Sequence, residues 1–188
     1  MKSMTKRLLA ALLAVAALFA LAGCSKSDKA DAAPKDYTKI LHDARPDEDN
    51  EYYMIFSPGE DGKFTAQYGY SDSYDAAQLD EEIRNMLLPL LNLEEDMYTD
   101  FAASVSGMMV QSYALAIVKP AEGKQQAVSE ALDAYVQSQM QSMEHYLEDQ
   151  YQIAASSHIS TAPTGEVILV CCENPEAVMN AIKTALAA

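Results

Sequence analysis

The sequence predicts an α+β fold: one domain with a small, mainly antiparallel sheet and helices packed on it. Three observations carry that expectation. The 188 residues, 49% hydrophobic and 22% charged, suit one globular core and are too few for a leader plus two ordinary domains. Short β-branched and aromatic runs, "YYMIF", "ALAIV" and "VILVCC", stand among segments with helical spacing. Turn clusters such as "SPGEDGK" and "TAPTGE" join neighbouring runs closely enough for hairpins.

The elements follow in order. "DYTKILHDA" places Tyr37, Ile40 and Leu41 on one helical face, and Pro46 ends it. "YYMIF", residues 52–56, reads as a strand, and "FTAQYGY" from Phe64 returns as its partner. "DAAQLDEEIRNMLLPLLNL" carries Leu79, Ile83, Met86 and Leu87 at helical spacing until Pro89 breaks or kinks it. "NLEEDMYTDFAASVS" predicts another short helix, capped by Asn92, with Met97, Phe101 and Val105 on one side.

From Met108 the expected order is β-α-β-β-α. Met108 to Pro120 suits a buried strand, in which Tyr113, Leu115 and Ile117 alternate with smaller residues. Gln125 to about Tyr151 carries an apolar stripe from Val128 to Leu147 and predicts one helix nearly 40 Å long. Two strands around a Thr164–Gly165 turn come next. A last helix is capped by Asn174, starts with Pro175, and turns Val178, Met179, Ile182 and Leu186 inward.

Ahead of this domain, Lys2, Lys6 and Arg7 precede an uncharged apolar run, Leu8 to Ala22. Its 15 residues fall short of the roughly 18 to 20 that span a bilayer, so residues 1–23 are expected to be a cleaved export signal. Removing them takes the net charge from −15 to −18. Such a chain excludes nucleic acid as a partner and holds its folded part off anionic lipid.

"LAGC", Leu21 to Cys24, resembles the lipobox of bacterial lipoproteins. That resemblance implies a diacylglyceryl group on the Cys24 thiol, cleavage just before it, and a place on the extracytoplasmic face of the cell membrane. Two acyl chains at about 0.8 kcal/mol per buried CH₂ give stable attachment where one does not. Residues 24–36, "CSKSDKADAAPKD", then read as the lipidated cysteine and a flexible tether reaching roughly 20 Å. Residues 37–188 are the domain, best defined over 75–188.

The C-terminal segments "LLNLEEDMYTDFAASVS", "ALAIVKPAEGKQQAV", "HYLEDQY" and "VILVCC" resemble a family of small lipoproteins, mostly of Gram-positive anaerobes, known only as a domain of unknown function. The resemblance implies a fold and a location, and no activity.

Candidate chemistry is sparse. Cys171 and Cys172 are adjacent on a strand, so their side chains point to opposite faces; buried thiols are expected, with a strained vicinal disulfide as the alternative. His145 with Glu148 and Asp149 forms a solvated ion pair rather than a metal site, because His42 and His158 are the only other histidines. The acidic runs Asp47–Glu51, Asp80–Glu82 and Glu94–Asp96 lack the calcium-loop spacing and read as solvated faces. Eleven tyrosines, several in "QYGYSDSY", could stack on sugars or peptides, but half of them fall on core stripes, and core packing is the reading favoured over a tyrosine-lined site.

No serine, cysteine or glycine-rich signature of nucleophilic or phosphate chemistry is present. No catalytic residue, cofactor or metal is therefore assigned. The expected function is a membrane-anchored binding or interaction module whose partner is an extracytoplasmic protein or small ligand. The alternatives are a lipid-anchored hydrolase with paired carboxylates and an accessory solute-binding protein. A two-lobed form of the last needs more than the remaining chain, at about 100–150 residues per domain.

Overall fold

The computed structural model describes residues 35–188, and the expected export signal, Cys24 and most of the expected tether lie outside them. Asp36 opens the fold by capping the first helix: its carboxylate accepts the Lys39 N–H at 2.9 Å. That helix, α1 (Tyr37–Ala44), ends before Pro46, as the spacing predicts. Pro46 then starts a second helix, α2 (Asp47–Tyr52), so the acidic run forms a helical first turn rather than a loop. Three acids in that turn suit its positive end.

The first hairpin joins β1 (Ile55–Pro58) to β2 (Phe64–Gln67), later by three residues than the "YYMIF" reading because Tyr52 belongs to α2. Next comes α3 (Ala76–Glu82), closed by a capping box between Asp75 and Gln78. It continues through a wide π-turn, Ile83–Leu87, into a last turn, Leu88–Leu90. The π-turn accommodates the missing N–H of Pro89 without a sharp break.

The helix expected over residues 92–106 is instead β3 (Tyr98–Val105). Asn92, at φ 54°, closes the preceding helix in the left-handed conformation and caps nothing. Met97, Phe101 and Val105 are four apart, and four is also a multiple of the strand period of two. The alternation is masked because both faces of β3 are covered: Phe101, Ala103 and Val105 pack on one side and Ala102 on the other.

Strand β4 (Ala114–Pro120) starts six residues later than expected, since Met108–Ser112 is a loop. The long helix is two: α4 (Gln125–Met143) and α5 (Glu148–Ala155), with α4 about 28 Å long at 1.5 Å per residue. A turn at 144–147 keeps the bond from Leu147 N–H to the Met143 carbonyl at 3.1 Å. The apolar spacing therefore runs through the break, which is why the sequence hides it. The hairpin β5 (His158–Thr161) and β6 (Val167–Cys171) and the helix α6 (Pro175–Ala187) match expectation, except that the Asn174 side chain makes no capping bond.

The six strands form one antiparallel sheet in the order β2-β1-β3-β4-β6-β5. Helices cover both faces. Phe56, Phe101, Val118 and Leu169 pack under α3 and α4; Ile55, Leu115, Ile168 and Val170 pack under α1 and α6. Alanines at 114 and 116 let α4 approach the sheet, where the Tyr135 hydroxyl donates to the Tyr113 carbonyl at 3.1 Å. Both cores and every strand pairing lie within residues 35–188, which form one unit capable of folding by itself. This is the α+β domain that the patterning predicts.

Candidate functional site: a tyrosine-lined cleft

Beside the end of β3 lies a cleft of about 520 Å³. Its walls are Tyr52 and Tyr53 at the end of α2, Tyr70 and Tyr74 after the first hairpin, Glu82 of α3, and Met108 beyond β3. Local backbone constraints set these rings. Gly69 has φ +52°, and a Cβ there would sit 2.5 Å from the Tyr53 carbonyl carbon, so the 68–70 segment lies directly on residues 53–54. Tyr68 itself holds φ 67° and ψ 176°, a costly conformation for an aromatic residue. Contact of its ring with His42, at 4.2 Å between centroids, offsets part of that cost.

Behind the cleft, Tyr53 stacks on Tyr113 at 3.8 Å and 12°. Arg45, only 5% exposed, anchors the pair. Its Nη1 donates to the Tyr113 hydroxyl at 3.2 Å and to Ser104 Oγ at 2.8 Å; Nη2 donates to the Tyr53 carbonyl at 2.6 Å, and Nε to Asn50 Oδ1 at 2.6 Å. Burial raises the Tyr53 hydroxyl above its ordinary range, and Asp49 and Glu173 push the same way. Burial raises the Tyr113 hydroxyl much further, so both rings stay neutral at physiological pH.

The front of the cleft is exposed although it is apolar. Tyr52, Tyr70 and Met108 are 51%, 56% and 57% exposed, and Met109 and Val110 stand out beside them. Contiguous exposed apolar side chains of this size mark interaction surfaces on soluble domains. Rings and thioethers supply stacking and dispersion, and Glu82 is the one carboxylate in the lining.

The other candidate residues are dispersed. Cys171 and Cys172 are free, buried thiols on opposite faces, one in each core. The break after Met143 separates His145 from the Glu148–Asp149 pair; its ring lies 3.9 Å from Glu144, and both are exposed. His42 bonds Asp43 at 2.9 Å, and His158 sits exposed at the start of an edge strand. Among the described residues no group of three or more His, Cys, Asp or Glu side chains could hold a metal ion.

Two of the acidic runs also have local roles. Asp80 accepts the Phe64 N–H at 2.7 Å, Glu95 bonds Arg84, and Asp96 bonds Lys124.

Residues 71–172, just over half of the chain, match the family described as Domain of unknown function (DUF4358). The chain belongs to this family. The DUF4358 match runs from just before α3 through β6, so Tyr74, Glu82 and Met108 come from it. Tyr52, Tyr53 and Tyr70 come from the chain ahead of it, and the cleft is built across that boundary. No curated protein and no solved structure matches this DUF4358 chain.

Arg45, which sets the Tyr53–Tyr113 pair, gave no signal in the sequence. A single arginine between a helix and a proline looks like any solvated residue, and only the register of β3 and β4 beneath it makes it a buried anchor. The tyrosines of "QYGYSDSY" read first as core residues, with a ring-lined site the lesser alternative, and their partners at 52 and 53 read as strand residues.

Proposed function

We propose that this protein is an extracytoplasmic lipoprotein, held to the membrane by lipid on Cys24, whose domain binds a partner or ligand through the tyrosine-lined cleft. The observation that carries the binding reading is the exposure of Tyr52, Tyr70 and Met108 around one concave apolar surface. The ligand it suits has a planar or apolar face that stacks on phenol rings. The "LAGC" motif supports the address, and no described helix is long and apolar enough to cross a membrane.

Nile red binding to residues 35–188 tests the cleft. Saturable dye fluorescence that falls several-fold in Tyr70→Ser and Met108→Ser, with melting unchanged, is expected; equal binding by all three proteins overturns the reading. Cys24→Ala in the full chain tests the address: membrane partitioning and lipid labelling should both be lost.

The hydrolase reading has one observation in its favour. Asp49, with its carboxyl raised by burial, lies near Glu173 on the wall of a second cavity. That cavity encloses only about 160 Å³, too little for a sugar ring with its leaving group, so binding is favoured.

A further inference from the structure

The tyrosine cleft does not end at Tyr74. A more open hollow of about 470 Å³ continues from it along α3, and Ser73, Tyr74 and Glu82 line both. The two are one groove, running from Met108 past the rings to Met86 on the π-turn. Helical spacing would put Met86 in the core stripe with Leu79, Ile83 and Leu87. The wider turn instead sends Leu87 inward and leaves Met86 50% exposed at the far end of the groove. Apolar side chains thus stand open along its whole length.

The rim of this groove carries unneutralised negative charge. Glu81 and Glu82 of α3, and Asp72 beside Ser73, make no ion pair among the described residues. No lysine, arginine or histidine lines either hollow. Arg84, the one cation of this helix, is committed elsewhere: its guanidinium lies 4.8 Å over the Phe64 ring and bonds Glu95, Asp80 and the Gly62 carbonyl.

We propose that the groove docks a basic amphipathic segment of a partner protein. Apolar side chains of that segment seat against Tyr70, Tyr74, Met86 and Met108, and its lysines or arginines lie beside Glu81, Glu82 and Asp72. This rests on the cleft reading above and names the occupant. Thioethers and phenol rings adapt to varied apolar anchors, while the carboxylates attract cationic segments and reject acidic ones.

The same charge argues against a second copy, since so acidic a chain would bring like charge to the rim. A bilayer fits less well for a geometric reason. The domain begins at Lys35, whose ammonium donates to the Leu186 carbonyl at the C-terminal end of α6. Asn174, at the other end of that helix about 20 Å away, shares a cavity wall with Tyr53 of the cleft. A lipid anchor on Cys24 therefore joins the domain at the end away from the cleft.

The test is fluorescence anisotropy of a dye-labelled helical peptide of leucine and lysine, its leucines on one face, titrated with residues 35–188. Peptides with glutamate in place of lysine, or serine in place of leucine, are the controls. Saturable binding of the leucine–lysine peptide alone is expected, weakening as salt rises. Glu81→Gln with Glu82→Gln should weaken it about fivefold, the loss of two surface ion pairs, and Met86→Ser severalfold, with melting unchanged. Glu130→Gln with Asp133→Asn, an exposed acidic pair on α4 outside the groove, should leave binding unchanged.

No saturable binding, equal binding of either control peptide, or an equal loss in the Glu130 and Asp133 variant overturns the proposal. So does attachment to phosphatidylcholine vesicles that Met86→Ser abolishes, which would make the groove a lipid site. Nile red reads the cleft separately. Dye binding that depends on Tyr70, without peptide binding, sinks this proposal alone; absence of both sinks the cleft reading with it.

Discussion

Replacing Arg45 with methionine removes the anchor of the Tyr53–Tyr113 stack while nearly preserving its volume. The guanidinium makes four hydrogen bonds of 2.6 to 3.2 Å. Two of its acceptors belong to side chains almost wholly out of water: Ser104 is 0% exposed and Tyr113 is 5% exposed. Hydrogen bonds to a charged group contribute about 1.5–3 kcal/mol each, and each of the two buried hydroxyls left without its donor costs about 1–3 kcal/mol. The net loss for Arg45→Met is therefore about 3–5 kcal/mol. With a urea slope near 2 kcal/mol per molar for a domain of this size, the unfolding midpoint should fall by about 2 M.

Arg45→Lys, with one donor head in place of a fork, should recover only part of this. Dye binding at the cleft should weaken in both variants even under conditions where they remain folded, since the Tyr53 carbonyl is no longer held. A loss below about 1 kcal/mol for Arg45→Met would refute the reasoning, because it would mean that these buried acceptors find other partners.

Glu166 supplies a pH signature. It is 5% exposed and accepts bonds from the Tyr37 hydroxyl at 3.0 Å and from Thr164. Burial by itself raises its carboxyl, but those bonds, its own N–H and Lys35 outweigh burial and hold it below the usual glutamate range. Its contribution is thus present above the unfolded-state value, near 4.3, and is lost as pH falls through the folded-state value. Glu166→Gln should cost about 1–3 kcal/mol at pH 7 and show a shallower loss of stability between pH 5 and 3 in denaturant titrations.

The thiols give a third outcome. Burial pushes Cys172 up to about 11 and also raises Cys171. Native protein comprising residues 35–188 should resist iodoacetamide at both at pH 8, and the same protein denatured should take two labels by mass spectrometry; a disulfide between them would contradict the packing described.

Where the amphipathic pattern had one dry face and one wet face, the sequence was easy to read. α1 and α6 show their stripes because their outer sides are solvated, and the β5–β6 hairpin shows its turn because Gly165, at φ +105°, needs glycine's freedom. Where both faces were covered, the pattern failed. β3 was read as a helix because four-residue spacing satisfies two periods, and α4 with α5 were read as one helix because the turn between them preserves the apolar register.

The cleft was legible only in part, for a similar reason. Tyrosine enrichment is visible, but which rings face a cavity depends on the 68–70 segment crossing residues 53–54, a contact between chain segments 15 residues apart. Arg45 carried no signal at all, since burial of a polar group is a property of the tertiary fold and leaves no local trace.

The most direct measurement of the central claim, a surface-held binding domain that works through its tyrosine cleft, is site-specific photocrosslinking in living cells. p-Benzoylphenylalanine is placed at Tyr70, in the cleft, or at Tyr146, which is 86% exposed but outside it. The full chain, with Cys24 intact, should give a discrete adduct from position 70, lost on adding Met108→Ser, and none from position 146. Equal crosslinking at both positions, or none at either, would contradict the account.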